Sequence, residues 1–138
     1  MMHDTETIWK PEYSVGVAEI DAQHRYLFEL WHLLDSIKGQ KQNRNSCRQA
    51  MLSLLDYIDL HFTTEEPYYR EHPRFTDHQQ VHREFVRRVR EFEQDLENDR
   101  LDIQAMTDFL RTWLIDHIVN TDIRYFKDME KIRAGGQS

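Results

Sequence analysis

Histidine is frequent in this chain, with eight among 138 residues, and five of the eight stand in amphipathic stretches. His61 and Glu65 are four residues apart, a spacing that places two side chains on one face of a helix, about one turn apart. His78 and His82 repeat this spacing further along the chain. Both pairs offer nitrogen or oxygen atoms that can coordinate a metal cation.

Two other stretches carry the same kinds of side chain. His117 and Asp122 are five residues apart, close enough in angle on a helix to reach one site from adjacent turns. His24 shares an apolar helical face with Leu27 and Trp31. If the four stretches pack around one axis, each aims one or two potential ligands toward that axis.

The combination of these side chains favours a metal site over ordinary core packing. A single histidine on an apolar face is more often a hydrogen-bonded core residue than a ligand, and one pair is weak evidence. Buried carboxylates, however, cost free energy unless they are paired or coordinated, and these apolar stripes offer no Lys or Arg. Imidazole together with carboxylate suits Fe, Mn or Zn. The predicted metal ligands are His24, His61, Glu65, His78, His82, His117 and Asp122.

The number of ligands indicates more than one ion. Seven protein ligands exceed what one first-row ion normally accepts, whereas two ions bridged by two carboxylates use them all. Five histidines cannot divide evenly, so one ion receives three and the other two. The second ion then keeps an open position for an exogenous small ligand.

The spacing of apolar residues predicts four helices to position these ligands. The first covers about residues 20–38 and the fourth about 102–133. Ser46 is the predicted N-cap of the second helix. Pro67 should end or kink that helix about one turn beyond its ligands, because proline lacks the backbone N–H and crowds the preceding turn.

The third helix is predicted to begin at a capping box made by Thr76 and Gln79, and to end at Asn98-Asp99. Short connections make neighbouring helices antiparallel. The predicted fold is therefore an all-α, up-down-up-down antiparallel four-helix bundle with an extended N-terminal arm. The expected domain limits are an arm at 1–19 that packs on the bundle, the bundle at 20–134 and a tail at 135–138.

Composition excludes several classes of protein. A formal charge of −7 argues against a nucleic-acid partner, which requires a basic face. No apolar run approaches the ~20 residues needed to span a bilayer, and the N-terminus lacks the layout of a signal peptide. A single cysteine, Cys47, excludes an intrachain disulfide. We expect a cytoplasmic monomer.

Four segments, in order, resemble one known family. They are IWKPEYSVGVAEIDAQH at 8–24, HFTTEE at 61–66, HQQVHREF at 78–85 and WLIDHIVNTD at 113–122. The chain resembles the hemerythrins, specifically the single-domain bacteriohemerythrins, over nearly its whole length. One departure is the segment between Glu65 and His78, which is a couple of residues shorter than the family pattern and contains Pro67.

The resemblance implies that the metal is iron and that O2 or a small anion is the exogenous ligand. The implied ligands of the coordinatively complete iron are His78, His82 and His117. The implied ligands of the iron with the open position are His24 and His61. The implied bridges are Glu65, Asp122 and an oxo or hydroxo group.

Five apolar residues are candidates for the wall of an O2 pocket, although ordinary core packing explains them equally well. They are Leu27, Phe62, Trp113, Leu114 and Ile118.

The function that this resemblance implies is reversible O2 binding without catalysis, for storage, delivery or buffering of O2. The alternatives are a gas- or redox-sensing module that acts on a protein partner, a di-iron oxidase or peroxidase-like detoxifier, and iron or zinc buffering. Ferritin-like di-iron oxidases use Glu-x-x-His motifs on two helices, and the predicted helices contain none.

Several polar residues fall outside this ligand set. We expect His3 and His72 to be solvated and His32 to lie at the surface or beside the ligands. Tyr68 and Tyr69 are candidates to offer hydroxyls near the site, although packing in the core or at its rim is the favoured interpretation.

Overall fold

The computed structural model describes residues 9–37 and 44–136, and all regular structure in these ranges is helical. The elements, in order, are a 3-10 turn at Pro11–Tyr13, α1 at Ala18–Ile37, α2 at Arg44–Glu65, a 3-10 turn at Glu66–Tyr69, α3 at Phe75–Glu97, α4 at Ile103–Leu114, a π-helical segment at Ile115–Asp122 and α5 at Ile123–Gly136. The last three follow one another without a break and form one long fourth helix. The predicted all-α four-helix bundle is confirmed.

Two predicted helix starts are wrong. α2 begins at Arg44, so Ser46 lies inside its first turn instead of at the N-cap. α3 begins at Phe75 and its N-terminus has no side-chain cap. Gln79, expected to close a capping box with Thr76, donates a hydrogen bond from Nε2 to Oε1 of Glu66 instead, at 3.1 Å. A tertiary partner outcompetes the local capping pattern at this position.

The predicted end of the third helix agrees with the structure, and the predicted end of the fourth helix is three residues short. α3 ends at Glu97, and Asp99 adopts a positive φ of 57°, a left-handed conformation that aspartate tolerates better than most residues. Asp102 caps the fourth helix by accepting a hydrogen bond from the Ala105 amide at 3.0 Å. The helix continues to Gly136, three residues beyond the predicted end. The predicted end of the first helix, at residue 38, lies outside the described residues.

Pro67 ends the second helix as predicted, although earlier than expected. α2 stops at Glu65, and Glu66–Tyr69 continues as a tighter 3-10 turn. Proline lacks the amide hydrogen that an α-helix needs and disfavours helical geometry at the residue before it. The α-helix therefore ends directly after its last carboxylate and not one turn later.

The core consists of two apolar clusters with the histidines between them. The large cluster includes Leu27, Phe28, Leu34, Met51, Leu54, Ile58, Phe85, Leu110, Leu114 and Ile118. The small cluster contains Val15, Ile20, Tyr69, Tyr125, Phe126 and Met129. Along α1, for example, Ile20 belongs to the small cluster, His24 follows it, and Leu27 belongs to the large cluster. The bundle thus holds a polar layer between two apolar ones.

The described part of the N-terminal arm lies on the bundle. Tyr13 stacks on Phe28 of α1 with ring centroids 5.9 Å apart, and Val15 is buried in the small cluster. The Val15 amide donates to Oδ1 of Asp21 at 2.8 Å, which ties the arm to the first turn of α1. None of the helices in the described ranges combines the length and hydropathy that crossing a membrane requires.

We expect Asp102→Ala to lower the free energy of unfolding by about 1 kcal/mol, because the Ala105 amide loses its side-chain acceptor. Thr76→Ala is the matched control: it deletes a hydroxyl that caps nothing, and its effect should stay below about 0.5 kcal/mol. Urea unfolding of both variants measures the difference. Equal losses of stability would contradict the assignment of the two helix starts.

Candidate metal centre

The structure brings all seven predicted ligands into the polar layer between the two apolar clusters. None of them is more than 4% exposed, so solvent cannot satisfy their polar atoms. α1 contributes His24, α2 contributes His61 and Glu65, and α3 contributes His78 and His82. The π-helical segment contributes His117 and Asp122.

The ligand-type atoms form two groups, within each of which they lie no more than 4.8 Å apart. We call the first the three-histidine group, and its members are His78, His82, His117, Glu65 and Asp122. We call the second the two-histidine group, and its members are His24, His61, Glu65 and Asp122. Both carboxylates belong to both groups, so each is placed to bridge them.

Glu65 turns one oxygen toward each group. Its Oε2 lies 2.9 Å from Nε2 of His24 and 3.1 Å from Nε2 of His61. Its Oε1 lies 3.6 Å from Nε2 of His82 and 3.8 Å from Nε2 of His78. The carboxylate therefore spans the space between the two sets of imidazoles.

Asp122 divides its oxygens in the same way. Its Oδ2 is 3.2 Å from Nε2 of His24, in the two-histidine group. Its Oδ1 is 3.2 Å from Nε2 of His78 and 3.1 Å from Nε2 of His117, in the three-histidine group. Two carboxylates with this arrangement are what a pair of bridged cations requires.

The π-helical segment explains how residues five apart reach one site. In an α-helix the hydrogen bonds run from residue i to i+4, whereas in a π-helix they run to i+5, so residues five apart come onto the same side. His117 and Asp122 are related in this way within Ile115–Asp122. We did not predict this local expansion of the helix. Its signal in the sequence is the five-residue spacing of His117 and Asp122.

The unpaired polar atoms in the layer fit metal coordination. Nε2 of His78 and both oxygens of Asp122 have no hydrogen-bond partner despite being buried, although Nε2 of His78 lies 3.2 Å from Oδ1. The atoms are close, but they are not oriented toward one another as donor and acceptor. Nε2 of His82 and Nε2 of His117 also face each other, at 3.0 Å. Lone pairs that converge in this way fit cations placed between them.

Two imidazoles are oriented from behind by side chains that the sequence analysis did not assign. Nδ1 of His82 lies 3.0 Å from Oε2 of Glu66, and Nδ1 of His61 lies 2.8 Å from Oε1 of Gln23. Because each Nδ1 donates to an oxygen, Nε2 is left as the free acceptor that points into the site. Glu66 stands in the HFTTEE motif, which was the only signal for it.

Tyr69 contributes a hydroxyl to the site, which was the less favoured of the two roles predicted for it. The hydroxyl donates to Oε1 of Glu65 at 2.8 Å, and the ring packs 4.5 Å from that of His78. Burial and the charge of Glu65 raise the pKa of Tyr69, so the hydroxyl keeps its proton. The 3-10 turn at Glu66–Tyr69 brings the Tyr69 hydroxyl to Glu65.

One imidazole in each group has a strongly shifted pKa, and the two shifts have opposite signs. Burial opposes a charge on His24, but the nearby carboxylates of Asp122 and Glu65 outweigh it and raise the pKa of His24 to about 10. Burial lowers the pKa of His82 to about 4, although Glu66 accepts its hydrogen bond. The imidazoles hold the pKa of Glu65 and of Asp122 below the usual range despite burial. Without a cation, His24 is therefore protonated at neutral pH.

The five candidate pocket residues lie in or beside the large apolar cluster. Leu27, Leu114 and Ile118 are fully buried there. Phe62 stacks on the ring of His82 at 3.7 Å, and the half-buried Trp113 stacks on that of His117 at 4.2 Å. Phe62 and Trp113 thus contact the three-histidine group.

The expectation that His72 is solvated is wrong. It is buried, its Nε2 lies 2.9 Å from Oδ2 of Asp128, and its ring stacks on Tyr125 at 4.1 Å. The Arg74 amide donates to its Nδ1 at 3.0 Å, so the turn before α3 closes around it. His32 is half-buried, and His3 lies outside the described residues.

Known proteins share this fold and sequence pattern. The pattern of the Hemerythrin HHE cation binding domain matches residues 15–128. A bacteriohemerythrin of Clostridium acetobutylicum is 30% identical over 131 residues, covering 86% of this chain and 97% of the relative. A hemerythrin-like protein of Naegleria gruberi is 31% identical over 124 residues, covering 85% of this chain and 88% of the relative. The crystal structure of a wild-type hemerythrin matches with a TM-score of 0.76 at 26% identity, covering 86% of this chain and 94% of that one.

We expect metal binding by the metal-free protein to release at least one proton per chain at pH 7.5. His24, with a pKa of about 10, must lose its proton before its nitrogen can coordinate. Below pH 10 the apparent affinity should therefore rise by about tenfold per pH unit for each proton released. Calorimetric titration with Zn²⁺ in buffers of different ionisation enthalpy measures the number. A heat of binding that is independent of the buffer would contradict the protonation of His24.

Proposed function

Because this chain belongs to the hemerythrin family, we propose that it binds O2 reversibly at a non-haem di-iron centre, for storage, delivery or buffering of O2. The observation that carries the proposal is the division of five imidazoles into groups of three and two around two shared carboxylates. An unequal division leaves one ion short of a protein ligand. That ion is where O2 or a small anion would bind.

The residues of each group have different roles in this proposal. His78, His82 and His117 would hold one ion together with the two carboxylates and an oxo or hydroxo group. His24 and His61 would supply only two nitrogens to the other ion. The bound irons would supply the electrons that O2 takes up on binding and returns on release.

The apolar clusters on both sides exclude water from the layer. Leu27, Leu114 and Ile118 are the proposed wall on the side of the large cluster, with Phe62 and Trp113 beside the three-histidine group. A dry wall favours reversible binding, because water would compete for the open position and hydrate the charges that build up there.

The scarcity of proton donors favours binding over catalysis. In the part of the chain that the structure describes, the buried polar residues outside the ligand set are His72 and Thr107, together with the hydroxyls of Tyr69 and Tyr125. The Tyr125 hydroxyl donates to the Arg74 carbonyl and not to a ligand. Thr107 donates to the Gln104 carbonyl, and His72 is engaged with Asp128. Tyr69 keeps its proton, because burial and neighbouring charge raise its pKa. An oxidase or peroxidase needs proton delivery to cleave the O–O bond, so we propose that the protein is a carrier and not an enzyme.

The remaining proposals concern the setting of the protein. We propose that it works in the cytoplasm as a monomer. The formal charge of −7 supports the proposal that it has no nucleic-acid partner. Any protein partner would act by taking or supplying O2 or electrons.

We expect the oxidised protein to bind azide with one-to-one stoichiometry, and the reduced protein to take up O2 and release it under vacuum. Ile118→Glu should abolish O2 uptake, because a carboxylate buried beside the open position costs several kcal/mol unless the metal captures it. Ile118→Leu is the matched control, and it should keep O2 uptake with a loss of stability below about 1.5 kcal/mol. Optical titration under controlled O2 pressure measures both variants.

Two outcomes would contradict the carrier proposal. One is consumption of many equivalents of reductant per chain in air, at a rate that Ile118→Glu does not change. The other is binding of two azide ions per chain. The first outcome would replace the carrier with an oxidase or peroxidase.

A further inference from the structure

The two groups of imidazoles differ in the charge of the side chains behind them. His82, in the three-histidine group, has its Nδ1 3.0 Å from the carboxylate of Glu66. His61, in the two-histidine group, has its Nδ1 2.8 Å from the amide oxygen of Gln23. The hydrogen-bond lengths are similar, but one acceptor carries a full negative charge and the other is neutral.

Glu66 is held in place by a second hydrogen bond. Gln79 donates from Nε2 to Oε1 of Glu66 at 3.1 Å, while Oε2 faces His82. The Glu66 side chain is 20% exposed, so it keeps contact with water at one end and touches a buried imidazole at the other. Its position follows from the 3-10 turn at Glu66–Tyr69, which directs it toward α3.

No histidine of the two-histidine group has an anionic hydrogen-bond partner at Nδ1 in the part of the chain that the structure describes. Nδ1 of His24 and Nδ1 of His78 are both buried without a hydrogen-bond partner. One such nitrogen lies in each group, so they offset one another. The anionic acceptor of His82 therefore has no counterpart in the two-histidine group among the residues that the structure describes.

Tyr69 acts on the three-histidine group in the opposite direction. Its hydroxyl donates to Oε1 of Glu65, the oxygen that faces His78 and His82, and withdraws electron density from that ligand. Both hydrogen bonds involve a carboxylate and are therefore charge-assisted, but only Glu66 adds a negative charge to the surroundings of the three-histidine group. Tyr69 brings no charge, and the carboxylate to which it donates would be shared by both cations through its two oxygens. The hydrogen bond between His82 and Glu66 therefore determines the net change in electron donation by the three-histidine group.

We propose that Glu66 is a positioning residue that makes the iron of the three-histidine group the first of the two to be oxidised. This inference rests on the di-iron centre proposed above. A carboxylate behind a coordinating imidazole raises the electron donation of its Nε2, and this stabilises the ferric over the ferrous state. Gln23 gives His61 the same orientation without that charge, so the iron with the open position would be the second to be oxidised.

The redox step involves electrons only. A one-electron oxidant such as ferricyanide takes an electron from the first iron and becomes ferrocyanide, and a second equivalent oxidises the second iron. No bond to His82 or His61 is broken in either step. Glu66 changes the order of the two steps through His82 and touches neither iron nor O2.

The test compares the midpoint potentials of the two one-electron steps, by anaerobic potentiometric titration of iron-loaded protein. In Glu66→Gln the first potential should shift upward more than the second, because the iron oxidised first loses its anionic support. In Gln23→Glu the second potential should shift downward more than the first. Tyr69→Phe should shift the first potential downward, the opposite sign to Glu66→Gln.

Glu71→Gln is the matched control, since it removes the same charge from an exposed position near the same end of the bundle, and it should leave both potentials unchanged. A measurement without redox chemistry supports the titration. The metal-free protein should bind Co²⁺ about tenfold or more weakly at the tighter of its two sites in Glu66→Gln, and with unchanged affinity in the control.

Unchanged potentials in a fully iron-loaded Glu66→Gln protein would overturn the proposal, as would a downward shift. If that variant does not fold, Gln23→Glu decides alone: an unchanged or raised second potential overturns the proposal. These failures are separate from failure of the proposed function. Fewer than two irons per chain in the wild type, or no azide binding, would contradict the di-iron carrier whatever the potentials are.

Discussion

Two carboxylates, Glu65 and Asp122, lie fully buried in the centre of the bundle, and the need to neutralise them governs the rest of the structure. Burial of ionised carboxylates costs free energy that only nearby positive charge offsets. In the described residues no lysine or arginine pairs with either one, and their close partners are imidazoles. Protonation of His24 offsets part of this cost. Cations held between the two groups would offset more of it and would coordinate Nε2 of His78 and the oxygens of Asp122, which have no hydrogen-bond partner.

The fold supplies what such a layer needs. An apolar cluster lies on each side of the layer, and the ligand-type residues are no more than 4% exposed. α1, α3 and the fourth helix contribute to both clusters, whereas α2 is joined to the small cluster by the 3-10 turn at Glu66–Tyr69. Two local distortions adjust the geometry. The π-helical segment brings His117 and Asp122 to the same side, and the 3-10 turn at Glu66–Tyr69 places Glu66 behind His82. Both distortions occur beside the site. π-bulges are frequent at functional sites in proteins.

Prediction from sequence worked where the signal was periodic. The four-residue spacings of His61 with Glu65 and of His78 with His82 predicted which side chains share a face, and the structure places them together. The backbone effect of Pro67 was predictable because it depends on one residue alone. The capping box at Thr76 failed because Gln79 has a tertiary partner, and such contacts between distant segments leave no local pattern. For the same reason the burial of His72 beside Asp128 could not be predicted.

The most direct test of the central claim is an anomalous diffraction measurement at the iron edge on crystals of the iron-loaded protein. Two iron peaks are expected in the polar layer, both adjoining Glu65 and Asp122. One peak should be coordinated by three histidines of α3 and the π-helical segment, and the other by His24 and His61. A single peak, or two peaks that do not share both carboxylates, would contradict the account.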